Sequence, residues 1–191
     1  MFVSDQGNDA LVDAASELQI SSDVDSQVIG SVYPLPVIYQ VSREKIREIA
    51  GAVQDAHRAH RSEAAAAELG YPSLVASPTF VAILAPLAQK YLFDTVLKGF
   101  DLSQVLQSDQ RFVYHQPLLA GDEVRTDIIV EAVREIAGST MFTIRNDFRD
   151  ARDELVIQSW TTLVGRQGLD VDPELLEVVK GVTRVDAVIE K

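Results

Sequence analysis

A chain of 191 residues has room for one well-packed domain, and its formal net charge of −12 opposes non-specific attraction to a phosphate backbone, so no nucleic-acid partner is expected. The absence of cysteine excludes a disulfide framework, a thiolate nucleophile and a Cys-type zinc site. The longest uncharged apolar stretch, Leu74 to Ala88, is interrupted by Ser77, Pro78, Thr79 and Pro86. That is too short and too broken to span a bilayer, and Met1 to Asp5 lacks the basic start of a signal peptide, so a cytoplasmic protein with no membrane partner is expected.

Residues 1–29 are expected to form an acidic, disordered leader. Asp5, Asp9, Asp13, Glu17, Asp23 and Asp25 stand there with no Lys or Arg, and a segment so charged has little apolar surface to bury. A strand is predicted near Val37 to Val41. The first helix follows, with Ser42 as its cap, Glu44 in its opening turn, and Ile46, Ile49, Ala50 and Val53 as one apolar stripe. A short second helix starts after Ser62, runs through Ala64 to Ala67 and stops at Gly70. The third is predicted over 78–97, with Ser77 as cap, Pro78 in the first turn and Gly99 as the stop. Its stretch from Phe80 to Leu84 is apolar all round, which predicts burial on every side, and Pro86 predicts a kink.

Beyond Gly99 the periodicity changes to that of strands, predicted at 110–115, 123–135, 140–149 and 154–165. Val124, Thr126, Ile128 and Val130 share one face opposite Arg125, Asp127 and Glu131, and Ala137, Gly138 and Ser139 mark a hairpin turn. Short turns between successive strands imply an antiparallel meander. An α+β domain over 30–168 follows, its sheet wrapped around one buried helix, with a tail over 169–191 in which Leu175, Leu176, Val178 and Val179 suggest a short helix. A sheet curled round one helix leaves an edge that a second copy or a relative can cover.

Chemistry concentrates in Asp55-Ala56-His57-Arg58-Ala59-His60. In an acid–base reading, Asp55 and His60 converge on one loop between two helices and could add or remove water beside an acyl thioester. The negative end of the first helix would raise the Asp55 pKa toward that of a usable acid, and the positive end of the second would keep His60 neutral as a base. In a metal reading, Asp55, His57 and His60 would hold a divalent ion, against which the interleaved Arg58 and Arg61 would repel the cation. In a third reading the run is a polar helix junction with no further role, and from these residues alone that reading has the most weight. Residues 43–61 also carry Arg43, Lys45, Arg47, Arg58 and Arg61, which could either steer an anionic ligand or pair with neighbouring acids.

Longer motifs narrow the choice. Tyr39 to Ala50 (YQVSREKIREIA), Ala67 to Tyr71 (AELGY), Ala76 to Phe80 (ASPTF), Asp109 to His115 (DQRFVYH), Ala120 to Asp122 (AGD) and Trp160 to Arg166 (WTTLVGR) resemble, in order, the N-terminal type of MaoC-like hot-dog dehydratases. They are similar to the actinobacterial subunits related to (3R)-hydroxyacyl-carrier-protein dehydratases. The resemblance implies a hot-dog fold, an acyl-CoA or acyl-carrier-protein substrate, no cofactor and no metal, and pairing into a homodimer or a heterodimer with another hot-dog subunit. It implies an (R)-specific hydratase or dehydratase in which His60 takes the α-proton, Asp55 handles the hydroxyl and the Ser77 N–H holds the thioester oxygen. Thr79 and Phe80 would contact the substrate. Arg58 and Arg61, as further substrate-binding candidates, are expected to point outward, toward solvent or a phosphate. The family also has non-catalytic partner subunits, which this chain resembles across its length although it keeps the Asp55-to-His60 spacing. A thioesterase is a third use of the same fold. Arg58 and Arg61 depart from the Pro and the aromatic residue usual in that loop.

Overall fold

The computed structural model describes residues 28–97 and 105–165. The acidic leader up to residue 27, the stop at Gly99 and the proposed tail over 169–191 lie outside them.

In chain order the elements are β1 (Val32–Pro34), β2 (Tyr39–Gln40), α1 (Arg43–Ala52), a 3₁₀ turn (Arg58–His60), α2 (Glu63–Glu68), a second 3₁₀ turn (Pro78–Phe80), α3 (Val81–Thr95), β3 (Leu106–Tyr114), β4 (Glu123–Ile136), β5 (Ser139–Arg149) and β6 (Leu155–Gly165). The sheet runs β1-β4-β5-β6-β3, with β2 also on β4, and each of these pairings is antiparallel. Instead of one strand over 37–41, two short ones lie against β4. Pro34 and Pro36 explain the interruption, since each lacks a ladder N–H.

The helices start where side-chain oxygens take up the first free amides. Ser42 Oγ accepts from Lys45 N at 3.2 Å, and Ser62 Oγ accepts from Ala65 N at 3.4 Å. The β4–β5 hairpin closes on Ala137 and Gly138, at φ 51° and 74°, and two left-handed residues match the twist of the flanking strands.

The hot-dog arrangement is present: α3 lies along the inner sheet face and joins two apolar clusters. Val81 and Leu84 pack with Val124, Phe148 and Ile157, while Ala88, Leu92 and Phe93 pack with Ile128, Phe142 and Ile144. Burial on every side does not hold for its first turns. Ala82 is exposed and Ile83 half-buried, so one face of the helix is open in the single chain. The helix also continues through Pro86. Proline removes the bond to the carbonyl four residues back, that of Ala82, and both residues lie on the open face where water can serve that carbonyl.

Candidate functional site

Three pieces of backbone build the site. Helix α1 ends at Ala52, and Gln54 takes a left-handed φ of 58°, turning the chain so that Asp55 N returns to Ala50 O at 2.8 Å. The 3₁₀ turn then carries His60 inward. A third segment, Leu74 to Ser77, runs alongside, tied by Val75 N to Ala59 O at 3.1 Å and by Ala76 N to Leu118 O at 2.8 Å.

The Asp55 and His60 side chains meet. His60 Nε2 lies 3.0 Å from Asp55 Oδ2, and its Nδ1 lies 2.6 Å from the Val75 carbonyl. The imidazole is 7% exposed and the carboxylate 30%, so the ring is buried while the carboxylate reaches the surface. Asp55 Oδ1 also accepts from His57 N at 3.1 Å. The Asp55 carboxyl is consequently held below its ordinary range, first by the His57 N–H and then by the positive side of His60, with partial burial opposing them. This corrects the expectation of a raised Asp55. A charge-directed N–H at contact distance outweighs the diffuse end of a helix that stops three residues earlier. His57 turns its Nδ1 to the 3₁₀ turn that follows, accepting from Ala59 N at 3.3 Å.

Ser77 caps the 3₁₀ turn that leads into α3, where Pro78 stands in the first position. The Ser77 N–H has no acceptor among the described residues, and its hydroxyl shares a 2.8 Å hydrogen bond with Thr79 Oγ1. Ser77 is 4% exposed. A free amide at the start of a buried helix is a ready donor to developing oxyanion charge.

Ser77 and Phe80 line a cleft of about 290 Å³ with Tyr71, Tyr114, His115, Pro117, Leu118 and Ile157. Asp55, His60 and Thr79 are not among its walls. The single chain thus brings Ser77 and Phe80 to one cavity and Asp55 and His60 to each other on the adjacent segment. The cleft also shows what the sequence did not: Tyr114 Oη donates to Pro78 O at 2.8 Å, and His115 Nε2 meets Gln158 Oε1 at 3.1 Å. Alternation over 110–115 puts Phe112 and Tyr114 on one face of the strand, but no spacing rule reports a contact across 36 residues.

The basic run divides. Arg43 pairs with Glu63 at 2.7 Å, Lys45 with Glu48 at 2.7 Å and Arg47 with Glu44, so those three serve the helix surface. Arg61 donates to the Asp55 backbone carbonyl at 2.6 Å, bracing the loop from outside. Arg58 is exposed and has no ion pair among the described residues. Neither guanidinium lies between Asp55 and His60, which are in direct contact.

The family described as FAS1-like, dehydratase domain region, matches residues 27–159. A UPF0336 protein of Mycobacterium tuberculosis is 42% identical over 143 residues, covering 75% of this chain and 86% of that protein. A UPF0336 protein of Streptomyces coelicolor is 38% identical over the same length, covering 75% of this chain and 95% of that one. Among solved structures, a chain of the C-terminally truncated HadBC (3R-hydroxyacyl-ACP dehydratase) complex from Mycobacterium tuberculosis aligns with a TM-score of 0.66 at 41% identity, over 72% of this chain and 97% of that chain.

Proposed function

The chain belongs to the FAS1-like dehydratase-region family, and from that premise we propose that it is an (R)-specific hydratase/dehydratase acting on enoyl and 3-hydroxyacyl thioesters. The observation that carries this reading is the contact of Asp55 with His60 at 3.0 Å, one segment away from the unpaired Ser77 N–H. Adding or removing water beside a thioester needs a proton acceptor, a proton donor and a stabiliser of enolate charge. Asp55 and His60 supply the first two, and Ser77 the third. Phe80 forms apolar wall, Thr79 holds the Ser77 hydroxyl, and the exposed Arg58 and Arg61 face the phosphates of coenzyme A or a carrier protein.

The active unit in this reading holds two hot-dog subunits. A cleft of about 290 Å³ is at the lower limit for a ligand site and does not include the dyad, so a neighbouring wall is needed to join them. Strand β3, the longer of the two strands that end the sheet, is the edge proposed for that neighbour. Similarity to a chain of the two-component HadBC complex favours a second reading, in which this chain is the non-catalytic partner of an active hot dog. The test is hydration of crotonyl thioester by the purified chain, alone and co-expressed with hot-dog subunits of the same organism. Turnover that is lost in Asp55→Asn supports the enzyme. Turnover only in a mixed complex, unchanged by Asp55→Asn, assigns the partner role.

A further inference from the structure

His60 is held between two groups that both accept hydrogen bonds. The Val75 carbonyl lies 2.6 Å from Nδ1 and has no hydrogen to give, so Nδ1 must carry one. A flipped ring would put a C–H at that distance, so the ring orientation is fixed too. The carbonyl sits on a tied segment, because Val75 donates its N–H to Ala59 O and bridges to Leu119. A neutral imidazole has then spent its only N–H, and Nε2 would present a bare lone pair to Asp55 Oδ2 at 3.0 Å. Two lone pairs at that distance repel; one proton between them makes a charge-assisted bond instead.

We infer that the Asp55–His60 pair keeps one shared proton at rest, lying on His60 Nε2, so that His60 enters the reaction as the acid and Asp55 as the base. This reverses the roles that the helix ends and the family resemblance implied, and it rests on the hydratase/dehydratase reading only for its catalytic consequence. The His57 N–H, which donates to the other Asp55 oxygen at 3.1 Å, keeps negative charge on the carboxylate and the proton on the imidazole. The remaining charged or titratable neighbours in contact are the His57 ring, 5.6 Å from that of His60, and Arg61 on the Asp55 carbonyl. The packed segment from Leu74 to Ser77 adds no titratable side chain.

The proton count then balances over a turnover. In dehydration the Asp55 carboxylate takes the α-proton, and the C–H electron pair forms the new carbon–carbon double bond. The β-carbon–oxygen bond breaks, and the hydroxyl leaves as water with the proton from Nε2. The pair again holds one proton, now on the carboxyl side, and passing it across the 3.0 Å bond restores the resting state. Hydration runs the same steps backward.

The experiment is side-chain ¹⁵N NMR of the full chain at pH 7, with His57→Gln and His115→Gln to assign the three histidines. The expected result is two protonated nitrogens on His60 in the wild type, and loss of the Nε2 proton in Asp55→Asn with Nδ1 still protonated. A bare Nε2 in the wild type overturns the inference, as does a doubly protonated His60 that survives Asp55→Asn. Crotonyl-thioester hydration measured on the same samples separates the two claims. A protonated pair without turnover removes the functional reading alone, and turnover with a bare Nε2 removes this inference alone.

Discussion

Asp55 and His60 are five residues apart, yet the contact between them depends on backbone detail that spacing does not express. Gln54 at φ 58° turns the chain, and Val75 holds the far side of the ring. If the pair is the acid and base, His60→Ala or Asp55→Asn should each lower turnover by about 10²–10⁴ without unfolding the protein, as steady-state hydration and circular dichroism would show. The lowered Asp55 carboxyl carries a second expectation, with a definite sign. A carboxyl held below its unfolded value stabilises the fold at pH above that value, and the benefit is lost as pH falls through the folded one. The urea midpoints of wild type and Asp55→Asn should therefore differ at about pH 5, where an unfolded Asp is already ionised. The difference should close below about pH 4, where an unfolded Asp titrates. A difference that persists at pH 2 would assign the effect of the substitution to packing.

At the scale of elements, the long strands and α3 were legible because their signals are local. Alternation such as Val124, Thr126, Ile128 and Val130 is a period-2 pattern that only one face of a sheet satisfies, and these four residues are all buried. Ser42, Ser62 and Pro78 likewise marked helix starts that the structure keeps. The chain before α1 was less legible. Two-residue and three-residue strands bury too little for periodicity to register, and β1 and β2 are held by pairing with β4, more than eighty residues away. The meeting of Asp55 and His60 was legible in their residue types and its electrostatics were not, because the donor to Asp55 is a backbone N–H that every sequence has. The open side of α3 escaped for another reason: an all-apolar run such as Phe80 to Leu84 cannot say which of its faces waits for a neighbour. That distinction can be measured. Leu84 is 2% exposed beneath the sheet, so Leu84→Ala should cost about 2–5 kcal/mol in denaturant unfolding. Ile83 is only half-buried, and Ile83→Ala should cost clearly less in the isolated chain. Equal losses would mean that the open face is already covered in solution.

For the whole molecule, the unresolved balance lies at the edge of the sheet. Strand β3 pairs with β6 on one side and presents its other side unpaired among the described residues. It is nine residues long, and along it Leu106 is 74% and Tyr114 44% exposed. Only Arg111 and Asp109 bring charge to this edge, and Arg111 is drawn over the Trp160 ring at 3.8 Å. Long edges with exposed apolar groups are unusual in chains that work alone, since they recruit further strands. The last residue of this strand, Tyr114, and the next, His115, stand in the wall of the cleft, so whatever covers that end of the edge also lies beside Ser77. Purified protein should therefore run as a dimer or larger in light scattering at micromolar concentration, and dilution should reduce crotonyl-thioester turnover in step with the loss of that species. If it runs as a clean monomer and is inactive, the edge belongs to a different hot-dog chain, and co-expression with that chain should restore both the larger species and the turnover. A monomer that is fully active would mean that the cleft and the dyad form a complete site within one subunit, and the two-subunit reading would fail.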